Sequence, residues 1–126
     1  MSLKRVMIVE DDADVRGLLG RYLEHRAFAC EPVASGAQCL RLLTEAPPPD
    51  LILLDHELPD MDGKALTSMI RARADVAAVP ILLITGRKLS PEGEAAREAG
   101  VDACLYKPFS PRALLAQVRS LLGELG

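Results

Sequence analysis

Tryptophan is missing from this chain, and two phenylalanines and two tyrosines are its only aromatic residues. A core without large rings has to be packed with Leu, Val, Ile and Ala, and apolar residues make up 49% of the sequence. Excess positive charge is missing as well. The formal net charge is −3, so nothing favours holding a polyanion across a broad surface, which argues against a fold dedicated to DNA or RNA. Cysteine is scarce: Cys30, Cys39 and Cys104 are odd in number and form no CxxC pair. They suit small buried hydrophobes in a reducing compartment better than a disulfide framework. With only His25 and His56 beside them, they do not complete a zinc quartet. No signal peptide precedes the first apolar run, and no run approaches the roughly 20 residues of a membrane span. The expectation is a cytoplasmic protein without membrane contact. Linkers, internal repeats and low-complexity segments are also lacking, apart from the prolines at 47–49. At 126 residues, one domain over 1–126 is expected, large enough to bury roughly two thirds of its unfolded surface.

What is present is an alternation. KRVMIV (4–9) reads as a strand, followed by acidic residues that suit a helix start and by Val15, Leu18, Leu19, Tyr22 and Leu23 at helical spacing. FACEPV (28–33) is a weaker strand, after which Ser35 caps a second helix carrying Leu40, Leu42 and Leu43. LILL (51–54) is the third strand, and a loop with Pro59 and Gly63 leads into a helix near 64–73. PILLIT (80–85) is the fourth strand, followed by a helix with Ser90 as N-cap, Pro91 as first residue and Gly100 as stop. ACLY (103–106) is the fifth strand, and Ser110–Pro111 opens a last helix with Leu114, Leu115, Val118, Leu121 and Leu122 inward. Continuous apolar strands such as LILL and ILLI need cover on both faces, so the sheet is parallel and central. Five β–α pairs with right-handed crossovers predict an α/β, flavodoxin-like doubly wound sheet of order 2-1-3-4-5.

The crevice of such a sheet lies beyond the carboxyl ends of its strands. Strand 1 ends on Glu10, Asp11 and Asp12, strand 3 on Asp55, strand 4 on Thr85 and strand 5 on Lys107. With strands 1, 3, 4 and 5 adjacent, these side chains converge. Carboxylates within about 4–5 Å repel by several kcal/mol at an effective dielectric near 20. A hard divalent cation, Mg²⁺ or Mn²⁺, resolves that, taking one or two carboxylates while keeping waters and a phosphate oxygen. The Thr85 hydroxyl and the Lys107 ammonium are then placed for the other oxygens of a phosphoryl group. The chemistry that fits is attack by the Asp55 carboxylate on a phosphoryl donor, giving an aspartyl phosphate.

At these residues the chain resembles the receiver domain of two-component response regulators, the CheY-like superfamily. The resemblance runs from KRVMIVEDD through LLDHELPDMDG and LLITG to Lys107-Pro108-Phe109. It implies Asp55 as phosphoacceptor and Asp11 as direct Mg²⁺ ligand, with Glu10 as the acidic neighbour and the Glu57 backbone carbonyl as a further ligand. It also implies that Thr85 and Lys107 bind the phosphoryl group and that the Lys107–Pro108 bond is cis. The partners implied are a sensor histidine kinase or phosphotransfer protein upstream and an effector domain or protein downstream. A homodimer through the fourth helix, fifth strand and fifth helix stays open. Such a module is not an enzyme in the ordinary sense, because it catalyses only its own phosphorylation and dephosphorylation.

The chain departs from the family pattern at Cys104, where an aromatic residue is frequent; here the tyrosine is Tyr106. Cys104 is too small to act as a lever. The relay is therefore expected to run through Thr85 moving toward the phosphoryl group and pulling the loop that begins at Gly86. The alternative is that Tyr106 takes over the switch. Glu57 and Arg87, two residues past Asp55 and Thr85, are expected to overhang the crevice as an ion pair that tunes phosphate lifetime. His56 is expected to pack or face solvent, without a role in the chemistry. Other readings compete. An Mg-dependent aspartyl-phosphate hydrolase would want Asp-x-Asp after the first strand. A flavin carrier would want a Ser/Thr-rich phosphate loop there. A calcium loop in DMDG fails because Leu58 and Met69 would occupy its first and twelfth positions. A non-phosphorylated pseudo-receiver is opposed by the presence of each chemical position.

Overall fold

The computed structural model describes residues 3–86 and 100–123 of the chain. Its strands are β1 (Lys4–Val9), β2 (Phe28–Val33), β3 (Leu51–Asp55), β4 (Ile81–Thr85) and β5 (Ala103–Tyr106). Its helices are α1 (Ala13–Glu24), α2 (Gly36–Glu45), α3 (Gly63–Arg71) and α4 (Pro111–Leu121). The helix expected between Ser90 and Gly100 lies outside the described residues. The strands form one parallel sheet of order β2-β1-β3-β4-β5, the doubly wound topology that the apolar runs predict.

Alternation within the strands explains why the sheet needs cover on both faces. Met7, Val9, Ile52, Leu54, Ile81 and Leu83 pack on one face with Cys39 and Leu43 of α2 and Leu66 and Ile70 of α3. Val6, Ile8, Leu51, Leu53, Leu82, Ile84 and Leu105 pack on the other with Leu19 and Leu23 of α1 and Leu114 and Val118 of α4. Each central strand thus feeds both cores, as the period of two requires. Pro32 is tolerated in β2 because that strand is an edge, hydrogen-bonded to β1 alone.

Each helix starts on a side-chain cap. Asp12, Ser35, Asp62 and Ser110 accept from backbone N–H groups in the first turns of α1, α2, α3 and α4. Pro111 occupies the first turn of α4, where a missing N–H costs nothing. Leu18 corrects the expected apolar face of α1: it is 60% exposed. One step along a helix is a rotation of about 100°, which carries Leu18 off the stripe through Leu19 and Leu23. Among the described residues, no helix is long and apolar enough to cross a membrane.

Candidate functional site

Parallel register brings the strand ends level. Val9 pairs with Leu54, Asp55 with Ile84, and Thr85 with Tyr106. The ladders continue one residue further, with Glu10, His56 and Lys107 N–H groups donating to Val33, Ile84 and Thr85 carbonyls at 3.1, 2.8 and 2.8 Å. The residues just past each strand are therefore held by main-chain bonds. Around them opens a crevice of about 440 Å³ lined by Glu10, Asp11, Asp12, Asp55, Glu57 and Lys107, among others.

Glu10, Asp11 and Asp55 each place a carboxylate oxygen within 4.8 Å of the others. Glu10 and Asp55 are buried, at 4% and 7% exposure, while Asp11 is exposed. Three acids this close are costly in water-poor surroundings, and Glu10 shows it. Burial, helped by a hydrogen bond with Asp55 and by the charge of that carboxylate, pushes the Glu10 carboxyl up from the usual 4.5 to about 8, against a lowering by the Asp12 N–H. A protonated Glu10 donating to Asp55 is how such a cluster relieves itself without a cation. The Asp55 Oδ1 also faces the Lys107 Nζ at 3.4 Å and the Glu57 N–H at 3.5 Å. An all-oxygen donor set of this density suits a hard divalent ion better than a zinc or copper site.

Asp12 stands apart from this cluster. Its Oδ1 accepts from the Asp14 and Val15 N–H groups at 2.9 and 3.1 Å, so it serves as a helix cap. The acidic turn is pinned by Arg16, whose Nη1 donates to the Glu10 and Asp11 carbonyls at 2.8 and 3.2 Å. The β3–α3 loop is closed on itself: the Gly63 N–H donates to the His56 carbonyl at 2.8 Å, and Glu57 bridges Asp62. Gly63 is required there, since a Cβ would stand 2.8 Å from Leu83 and 3.1 Å from the His56 Cα. Asp60 straps the same loop to α2, accepting from Gly36 and Ala37 N–H groups at 3.0 and 2.9 Å.

The remaining expected residues divide. Thr85 is buried at the end of β4, and Tyr106 lies opposite it, half-buried, in the β5 register. Cys104 packs on the α2–α3 face and Leu105 on the other. The Lys107–Pro108 peptide is cis. Gly86 is exposed, with no atom of the described residues within 4 Å of where a Cβ would stand. Arg87 lies outside the described residues. Of the two alternatives expected for His56, packing and facing solvent, the structure shows packing: it is 8% exposed, and its Nδ1 lies 3.2 Å from the Thr85 Oγ1, a contact the sequence did not suggest. His56, Arg16 and Asp60 were not legible as part of this site. Their partners are 29, 5 to 6 and 23 to 24 residues away, and only Arg16, one helical turn into α1, had a local signal.

The carboxyl edge of this doubly wound sheet thus gathers buried acids, a lysine and a threonine. The model of the response regulator receiver domain matches residues 6–119, and the chain belongs to that family. It is 37% identical over 119 residues to the transcriptional regulatory protein GltR of Pseudomonas aeruginosa, covering 94% of this chain and 49% of that protein. It is likewise 37% identical over 122 residues to the transcriptional regulatory protein PrrA of Mycobacterium tuberculosis, covering 97% and 51%. The chain thus spans about half the length of the curated relatives it matches. Among solved structures it is similar to the receiver domain of sensor histidine kinase PA1611 of Pseudomonas aeruginosa, which has a magnesium ion coordinated in its active-site cleft. That likeness has a TM-score of 0.88 at 29% identity, over 97% of this chain and 99% of that one. The fold is thereby that of a receiver domain of two-component signalling, and the hydrolase, flavin and pseudo-receiver readings are not favoured.

Proposed function

We propose that residues 1–126 form one receiver domain that accepts a phosphoryl group on Asp55, from a histidine kinase or phosphotransfer protein, or from a small acyl phosphate. The observation that carries this reading is the Asp55 carboxylate itself: buried, 3.4 Å from the Lys107 ammonium, and within 4.8 Å of Glu10 and Asp11 oxygens. In the transfer, an Asp55 oxygen forms a bond to phosphorus as the bond to the donor's leaving oxygen or nitrogen breaks. Lys107 neutralises charge on the Asp55 side, and the Thr85 hydroxyl turns in to donate to a phosphoryl oxygen. Asp11, Asp55 and the Glu57 carbonyl would hold Mg²⁺ or Mn²⁺, with Glu10 beside them. Bound there, the ion supplies positive charge that lets an anionic donor approach the acids. Glu10, whose carboxyl is held up by burial and by Asp55, would give up its proton to make room for that charge.

Glu57 and Arg87 are proposed to set the lifetime of the phosphate by screening it from water. The relay is proposed to start at Thr85 and pass to the loop beginning at Gly86, with Cys104 packing and Tyr106 as the neighbour that responds. The output is proposed to be an effector domain or protein, in the cytoplasm. A phosphoryl-transfer assay with an acyl phosphate and Mg²⁺ tests the reading. One phosphoryl group per chain, lost slowly, supports it; continuous turnover without a labelled chain would indicate a hydrolase, and no label an inactive module.

A further inference from the structure

His56 is buried directly beside the proposed phosphoacceptor, and nothing in the transfer itself uses it. Its main chain is fixed on two sides: the N–H donates to the Ile84 carbonyl and the carbonyl accepts from the Gly63 N–H, both at 2.8 Å. The imidazole is therefore a fixed partner for whatever it touches, and it touches the Thr85 hydroxyl at 3.2 Å. Strand alternation says where that contact lies. Thr85 follows the parity of Ile81 and Leu83, which pack on the α2–α3 face, and His56 follows Ile52 and Leu54 on the same face. Asp55 follows Leu51 and Leu53, and Lys107 follows Ala103 and Leu105, on the opposite face, where Nζ and Oδ1 meet at 3.4 Å. The Thr85 hydroxyl is thus engaged with His56 on the side of the sheet away from the Asp55–Lys107 pair.

We propose that His56 is a positioning residue, a latch that holds the Thr85 hydroxyl in its resting direction and sets how readily it turns to a phosphoryl group. Whichever tautomer the imidazole has, the contact is lost when the hydroxyl turns toward Asp55, and a buried ring nitrogen is left without that partner. The latch makes the switch harder to throw. Replacing it by an apolar ring of similar size removes the competing bond and the penalty together. The net value of one such bond corresponds to roughly a two- to tenfold change in an equilibrium. The proposal rests on the phosphoacceptor reading of Asp55.

The test is titration of the 126-residue chain with beryllofluoride and Mg²⁺, a phosphoryl mimic, followed by amide and methyl NMR. His56→Phe is expected to bind the mimic about fivefold more tightly than wild type, with the Thr85 methyl resonance of the free variant already displaced toward its mimic-bound position. His56→Asn, whose side-chain amide offers a polar atom at the same bond distance from the backbone as Nδ1, is expected to return affinity close to wild type. In a Thr85→Val background the His56→Phe gain should vanish. If His56→Phe does not fold by its amide spectrum, His56→Leu replaces it in the same comparison. Equal or weaker binding by a folded apolar variant, or a gain that survives in Thr85→Val, overturns the latch while leaving the phosphoacceptor reading intact. Failure of wild type to bind the mimic overturns both.

Discussion

Glu10 offers a quantitative handle on the acidic crevice. Its carboxyl is pushed up from 4.5 to about 8, chiefly by burial and then by its hydrogen bond with Asp55. A raised folded-state value means that Glu10 contributes stability below its unfolded value, and that this contribution is lost as pH rises through the folded one. In metal-free protein the window therefore runs from just above 4.5 up to about 8. One proton sets an upper slope of about 1.4 kcal/mol per pH unit. Because the crevice opens to water, which screens the pair, a total loss of about 2 kcal/mol across the window is the reasonable expectation. Replacing Glu10 with Gln removes the titration, so the stability difference between wild type and Glu10→Gln should change by about that amount across the window. A divalent ion competes with the same proton, so Mg²⁺ affinity of wild type should rise with pH, by up to about tenfold per unit, and level off above about 8. Urea denaturation in chelator and calorimetric Mg²⁺ titration across this range measure the two effects. A wild-type minus Glu10→Gln difference that is flat with pH, together with Mg²⁺ affinity independent of pH, would refute the reasoning.

Three further outcomes are expected. Arg71 joins α3 to the segment before β4 and to the start of β5, donating to Gly100, Ala77 and Val79 carbonyls and to Asp102 Oδ2. Arg71→Ala should therefore cost roughly 1–3 kcal/mol in urea unfolding, and a loss below about 0.5 kcal/mol would show the bonds to be replaced by water. Asp60 is held below its usual carboxylate value of 3.8 by the Ala37 and Gly36 N–H groups. Its contribution is present above 3.8 and lost as pH falls through the lower folded value. Asp60→Ala should accordingly show a lower urea midpoint than wild type at neutral pH, with the gap closing only in strong acid; a gap that persists there would assign it to something other than the charge. Tyr106→Ala should still bind a phosphoryl mimic and keep the amide shifts at Gly86 if Thr85 carries the relay. Loss of those shifts would make Tyr106 the switch.

The convergence of side chains at the strand ends could be read from the sequence because two local rules suffice for it. Apolar runs fix where strands stop, and the parallel sheet puts their carboxyl ends at one edge, so Glu10, Asp55, Thr85 and Lys107 had to be neighbours. Side-chain pairings across strands followed different physics. Whether His56 met solvent or Thr85 depended on the register of β3 against β4 and on the closure of the 57–62 loop by Gly63, neither of which leaves a pattern in the chain. Asp60 looked like one acid of an acidic loop; its two bonds to α2 depend on how that loop folds back over Gly36. Leu18 satisfied helical spacing loosely enough to be counted inward, and only the position of the buried stripe through Leu19 and Leu23 excludes it.

The measurement closest to the central claim is chemical mapping of the labelled residue. The chain is incubated with an acyl phosphate, with Mg²⁺ or with chelator, then treated with borohydride, which reduces an aspartyl phosphate to homoserine, and the peptides are sequenced by mass spectrometry. The account predicts homoserine at position 55 alone, in the Mg²⁺ sample alone, and none in Asp55→Asn. Homoserine at another acid, equal conversion in chelator, or unchanged Asp55 in a phosphorylated chain would contradict it.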